Sequence, residues 1–360
     1  MNDPFVIAEA GVNHNGDIGL ALDMIEASSM TGADAVKFQT FSATKLVTNT
    51  AEKATYQKAS SCSEETQFEM LKRLELSLRE HHQLMQHCER FNVEFLSTPF
   101  DIESLEFLTE ELNLQTIKIA SGDITNGPLL LSAALKHGNI ILSTGMSNLG
   151  EIEAALGVLC YGFICADKPV SPEPSMENFR NAYASDRGQQ LLSEKVTLMH
   201  CTTEYPAPFD QVNLNAMKTM ASSFQLQVGY SDHTEGIAVP IGAVALGATV
   251  IEKHFTLSRD LAGPDHRASM EPSEFAEMVR CLKEMRVSLG NGVKYASEAE
   301  QRNMEVARKS LVASRPIKAG DTFNAGNLTV KRPGKGINPM QYWDYIGETA
   351  DKNLDQDQYI

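Results

Sequence analysis

At 360 residues, with 42% hydrophobic and 22% charged side chains, the chain has enough material for one large core and a small appended module. Its net charge of −16 at pH 7 argues against general nucleic-acid binding, which needs a basic surface, but leaves room for a small anion held by a few local lysines. MNDPFVIAEAG lacks the basic-then-apolar pattern of a secretory signal, and no run approaches about 18 apolar residues. The six cysteines show no CxxC pair, so a cytoplasmic protein with reduced thiols and no membrane association is expected.

Short β-rich runs recur along the chain: FVIAEA (5–10), AVKFQT (35–40), VEFLST (93–98), TIKIAS (116–121), IILSTG (140–145), VTLMHC (196–201), LQVGYS (226–231) and VIEKHF (250–255). Most intervals carry helical periodicity, as in LALDMIEASSMTG and PIGAVALGA, and strands alternating with helices imply parallel pairing. Eight such units predict a (β/α)8 TIM barrel. The strands finish on Glu9, Gln39, Ser97, Ser121, Ser143, His200, Ser231 and His254, which is expected at the C-terminal mouth, where barrel active sites lie.

Long insertions at 41–76 and 163–195 interrupt the rhythm. Each either shapes a substrate or is a tolerated decoration, and the prolines of KPVSPEPS oppose regular structure in the second. The last barrel helix is expected at about 273–289. The predicted organisation is a barrel domain over 1–289, a polar linker over 290–304 and a small β-rich module over 305–360, which would gain from docking onto another surface.

Lys37 and Lys118 sit inside apolar strands, a costly place for an ammonium unless it is paired or faces a polar cavity. With hydroxyls from Ser121, Ser143 and Ser231 they form a candidate site for a small phosphorylated carboxylate. Internal salt bridges to Glu9 or Glu252 are the competing reading. His81, His82, His87 and His137 fall on predicted helices, whereas His200, His233 and His254 fall at strand ends. The latter three converge either on one metal or on structural hydrogen bonds. The remaining acids are Asp123, Asp232 and Asp265; Glu9, with Asn13 and His14 after it, serves either proton transfer or neutralisation of Lys37. GxxxxGK[ST], GxSxG and a strand-linked GxGxxG are all missing, which removes support for nucleotide hydrolysis, esterase and dinucleotide chemistry.

The runs AEAGVNHNG, AVKFQTF, STPFD, KIASGD, ILSTGM, HCTTEYP, GYSDHT, EKHFT and GPDHRAS resemble, in order, the bacterial sialic acid synthases. The tail SLVASRPIKAGDTFNAGNLTVKRPGKGI resembles that family's C-terminal SAF module, which is similar to type III antifreeze proteins. The resemblance implies a domain-swapped homodimer that condenses phosphoenolpyruvate with N-acetylmannosamine, or a related 2,4-diacetamido-6-deoxy sugar, releasing phosphate. By the same resemblance His233 and His254 hold a divalent metal, manganese or magnesium. Lys37, Thr98, Lys118, Ser121, Ser143 and Ser231 hold phosphoenolpyruvate. Gln39, Tyr205, Asp265 and, from the partner subunit, Arg332 contact the sugar. Glu9 handles the attacking water, assisted by Asp123.

Two positions depart from the family pattern: Asp123 replaces a glutamate, and Thr203 replaces an asparagine that contacts phosphoenolpyruvate in one branch. The motifs fit both N-acetylneuraminate and diacetyllegionaminate synthases, with N-acetylmannosamine placed first as the acceptor. The competing functions are a Schiff-base aldolase using Lys118 or Lys37, and a non-catalytic carbohydrate-binding protein.

Overall fold

In the computed structural model, residues 3–48, 50–53, 65–136, 138–166 and 173–360 are described; Cys62, His137, Pro169 and Pro172 lie outside them. The chain forms two compact units, Met1–Gly290 and Asn291–Ile360.

The first unit is built on eight strands: β1 Phe5–Gly11, β2 Ala35–Thr40, β3 Glu94–Pro99, β4 Thr116–Ile119, β5 Asn139–Ser143, β6 Val196–Cys201, β7 Gln227–Asp232 and β8 Val250–His254. Their hydrogen-bonded order is β3-β2-β1-β8-β7-β6-β5-β4, every pair is parallel, and β3 lies beside β4, so the sheet closes on itself as a barrel. Alternation along each strand divides its side chains between two cores. Val6, Ala8, Val36, Phe38, Phe95 and Tyr230 face outward into the layer shared with the helices. Ile7, Ala35, Leu96, Ile141, Met199 and Val250 face inward and plug the barrel. Gly229 belongs to this plug by necessity, because a Cβ there would stand 2.4 Å from the Met199 sulfur.

The helices start on residues that satisfy their first free amides. Asp17 caps the helix Ile18–Met30, and Thr66 and Ser77 form capping boxes at Gln67–Leu74 and Leu78–Phe91. The helix Leu149–Ala166 is, at 18 residues and mean hydropathy 1.6, apolar enough by length and composition to cross a membrane, contrary to the sequence reading. Its apolar character has a local cause: Ile152, Leu156, Leu159, Cys160 and Phe163 are buried in the outer core. The second insertion is more regular than its prolines imply, since Met176–Tyr183 and Asp186–Lys195 are capped helices.

In the second unit, part of the segment read as a polar linker is helical, Glu298–Ala307, opened by a capping box at Ser297. Two short antiparallel strands follow, β9 Ser310–Ala313 and β10 Leu328–Lys331, over a small core that includes Ile317, Phe323, Leu328 and Leu354.

Candidate active site

One pleat above the plug, the inward-facing side chains change character. Ile7 gives way to Glu9, Ala35 to Lys37, Leu96 to Thr98, Ile141 to Ser143, Met199 to Cys201 and Val250 to Glu252. With Lys118 from β4 and Ser231 from β7 they line a cavity of about 310 Å³ at the C-terminal mouth of the barrel. Register holds three of them level, with Glu9 opposite Lys37 on one side and opposite His254 on the other. Gly11 ends β1 in the left-handed region at φ 54°, where a Cβ would crowd the Glu9 carboxylate at 3.1 Å.

Both lysines face the cavity, and acids pair them there. Lys37 forms an ion pair with Glu9, donates to Thr98 Oγ1 at 3.1 Å and stands 3.8 Å from Glu252. Lys118 reaches the same Glu252 oxygen at 3.3 Å, and Ser231 donates to it at 3.1 Å. The two carboxylates are driven apart. Burial raises Glu9 to about 7 against the pull of Lys37, whereas for Glu252 the nearby Lys118 and Lys37 outweigh burial and hold it at about 2. Two ammoniums and two carboxylates nearly cancel, so the floor offers an anion fixed donors but little net positive charge.

His233 and His254 face the same cavity with ring centroids 5.5 Å apart. Burial lowers the pKa of both, which keeps the imidazoles neutral and able to ligate. His233 Nδ1 bonds the Thr202 carbonyl at 2.6 Å, the outer contact expected of a metal-holding imidazole. His254 Nδ1 is buried and without a hydrogen-bond partner among the described residues. The pair therefore fits a divalent cation, which would also supply the charge the floor lacks. Among the described residues no group of three His, Cys, Asp or Glu side chains is placed to hold a metal, so water or substrate would complete the shell.

The rim adds Tyr205, whose ring lies 4.2 Å from that of His233, together with Gln39, Ser121 and Asp265. Burial raises half-buried Asp265 to about 6. Its loop is tied to the turn after β1. Asn13 Nδ2 donates to the Phe255 carbonyl and Ser269 Oγ, Asn15 Nδ2 contacts His266 Nε2 at 3.0 Å, and Thr256 Oγ1 contacts His266 Nδ1 at 2.7 Å. The hydroxyls of Ser143 and Thr203 are buried with no partner among the described residues. Gly145 runs close beside them, and a Cβ there would meet Thr203 Oγ1 at 2.4 Å and Ser121 Oγ at 2.8 Å.

Of the expected site residues in the first unit, Asp123 does not line the cavity. The Asp123 carboxylate accepts from Asn126 Nδ2 at 3.0 Å, in the turn before the helix Gly127–Leu135. Arg332 is exposed in the second unit. Two strand-end residues face away from the mouth because they have the wrong parity. Ser97 bonds Thr40 in the outer layer, and His200 Nε2 bonds the Val212 carbonyl at 2.7 Å, which removes His200 from any convergence on a metal.

Sequence reasoning missed the cavity's apolar flank. Val12, Leu46, Val47, Met70, Leu71, Leu74 and Phe100 line it, and five of these come from the 41–76 insertion. Among the described residues of the 163–195 insertion none lines the cavity. Glu252, which the sequence presents as a counter-ion, is the hub of the floor.

A barrel with lysines, carboxylates and imidazoles gathered in one cavity at its C-terminal mouth has the layout of a barrel enzyme. Residues 24–294 match the NeuB family and residues 308–360 the SAF domain, and the chain belongs to the NeuB family. It is 47% identical to the N,N'-diacetyllegionaminic acid synthase of Campylobacter jejuni, covering 100% of this chain and 99% of that protein. The N,N'-diacetyllegionaminic acid synthase of Legionella pneumophila is 43% identical, over 97% of this chain and 91% of its own length. Among solved structures, the N-acetylneuraminic acid (sialic acid) synthetase of Leptospira borgpetersenii, in complex with citrate, is similar with a TM-score of 0.66. It is 33% identical over 84% of this chain and 91% of that one.

Proposed function

We propose that this protein is a sialic-acid-type synthase that condenses phosphoenolpyruvate, water and 2,4-diacetamido-2,4,6-trideoxymannose into N,N'-diacetyllegionaminate and phosphate. The observation that carries the reading is the full-length identity to two legionaminate synthases, which moves this sugar ahead of N-acetylmannosamine. The cavity supports the reaction class, since it gathers every expected site residue of the first unit except Asp123.

Lys37 and Lys118 give the carboxylate and phosphate of phosphoenolpyruvate ammonium donors already positioned by Glu9 and Glu252, so little reorganisation is needed on binding. Ser143 and Thr203 supply neutral donors from hydroxyls otherwise left unsatisfied. His233 and His254 would hold a manganese or magnesium ion, which when bound would supply Lewis-acid polarisation of the sugar aldehyde. C3 of phosphoenolpyruvate forms the new bond to the aldehyde carbon, whose oxygen becomes a hydroxyl. Water adds at C2, and the C2–O bond to phosphate breaks as the C2 hydroxyl becomes the ketone; of the two protons the water gives up, one ends on the new hydroxyl and one on the departing phosphate. Glu9, with its pKa raised to about 7, takes the proton of that water. Asp123 stands off the cavity, so Glu9 carries this role without it.

A Schiff base on Lys37 is disfavoured because Glu252 and Glu9 outweigh burial and keep its amine protonated, and a Schiff-base aldolase on either lysine would leave the facing pair His233 and His254 without a role. The proposal extends to a homodimer in which Arg332 of one copy reaches the acetamido group of the sugar in the other. The test is phosphate release from phosphoenolpyruvate with manganese, offering N-acetylmannosamine and the diacetamido sugar separately, each with a chelator control. Faster metal-dependent release with the diacetamido sugar is expected, and no release with either sugar would overturn the reading.

A further inference from the structure

The floor and one side of the cavity are polar, but the side following β1–β3 is not. Val12 and Phe100 come directly after β1 and β3, Leu46 and Val47 follow β2, and Leu71 and Leu74 come from the helix Gln67–Leu74. Leu71 and Leu74 are anchored in a separate apolar cluster with Phe41 and Met70, so they form a fixed surface. Leu46, Val47 and Phe100 are only half-buried and present carbon to the cavity. Among the residues that this helix sends to the cavity, Gln67 alone is polar.

Phosphate, carboxylate and aldehyde need donors and charge, which the floor provides and this flank does not. A hydroxymethyl group against the flank would lose its water without gaining a partner, whereas a methyl group would gain contact. We infer that the flank formed by Val12, Leu46, Val47, Leu71, Leu74 and Phe100 is a subsite for the deoxygenated C6 end of the acceptor sugar, and that these side chains select 6-deoxy acceptors. This rests on the synthase reading and adds to it which part of the sugar is read and by which residues.

The experiment compares 2-acetamido-2,6-dideoxymannose with N-acetylmannosamine, two acceptors that differ only by the C6 hydroxyl, at saturating phosphoenolpyruvate and manganese. The parent protein should favour the deoxy sugar in kcat/KM on the order of ten- to hundredfold, the range open to an apolar pocket facing one added hydroxyl. Val47→Thr, which keeps the volume, and Leu46→Gln, at a half-buried site, should each cut that preference several-fold, mainly through KM for the deoxy sugar. Equal kcat/KM for the two sugars in the parent would overturn the inference while leaving the synthase reading intact. So would a preference that both variants leave unchanged, or an equal loss on both sugars. No metal-dependent phosphate release with these sugars or the diacetamido sugar would instead defeat the synthase reading itself.

Discussion

Lys118 on β4 and Glu252 on β8 meet at 3.3 Å across the barrel, although 134 residues separate them in the chain. Because Lys37 stands 3.8 Å from the same carboxylate, Glu252 compensates two buried ammoniums. Replacing it should leave both undercompensated, and breaking a buried ion pair from one side costs about 3–5 kcal/mol. Glu252→Gln is expected to lose stability of that order in urea unfolding and to lower kcat/KM at least a hundredfold. A variant as stable as the parent would show that the lysines do not depend on Glu252.

His233→Ala should weaken manganese binding at least a hundredfold in calorimetry and abolish metal-dependent turnover, while the barrel still unfolds cooperatively. Treating the parent protein with a chelator should stop phosphate release, and added manganese should restore it. Unchanged manganese affinity in the variant would remove His233 as a ligand.

Arg332→Ala should raise KM for the sugar and leave KM for phosphoenolpyruvate unchanged. Mixing this variant with His233→Ala, under conditions that exchange subunits, should restore activity. The mixed dimer would contain one site with both its own His233 and the partner's arginine. Absence of recovery after demonstrated exchange would place the arginine's action within its own chain or remove it from the site.

Stability should also depend on pH through two histidines, His14 and His266. His14 accepts from the Gly16 amide at Nδ1, and burial lowers both His14 and His266 to about 4. In the unfolded chain each takes up a proton near about 6.5. Between about 6.5 and 4 the unfolded state therefore binds more protons, so stability falls as pH drops through that window and is fully present above it. His14 alone contributes about 3 kcal/mol by the foot of the window. Urea midpoints should decline from pH 7 to pH 4.5, and His14→Gln should flatten the decline. An identical slope in that variant would exclude His14 as a source.

The strands were legible to within about two residues because parallel strands covered on both faces read as short apolar runs. The same property hid their parity. With both faces apolar, nothing in VTLMHC distinguishes the outward His200 from the inward Cys201, and nothing in VEFLST distinguishes Ser97 from Thr98. Lys37 was readable because a lysine in such a run demands compensation, whereas Glu252 looked like a sufficient partner and drew no further notice. The apolar flank could not be read at all, since Leu46, Val47 and Leu71 acquire meaning only once the fold brings them to the same cavity wall.

The charged ring above the apolar plug also bears on how the chain assembles. Glu9, Lys37 and Lys118 arrive with β1, β2 and β4, whereas Glu252 arrives with β8. A half-barrel ending after β4 would hold two ammoniums against one carboxylate in a core not yet closed, with no way to bury them. Closure brings the missing charge last, so the barrel gains its electrostatic balance in the same step that seals the sheet. Fragments split between β4 and β5 should accordingly fail to fold alone and recover order only when combined, making this unit a single cooperative body rather than a sum of stable halves.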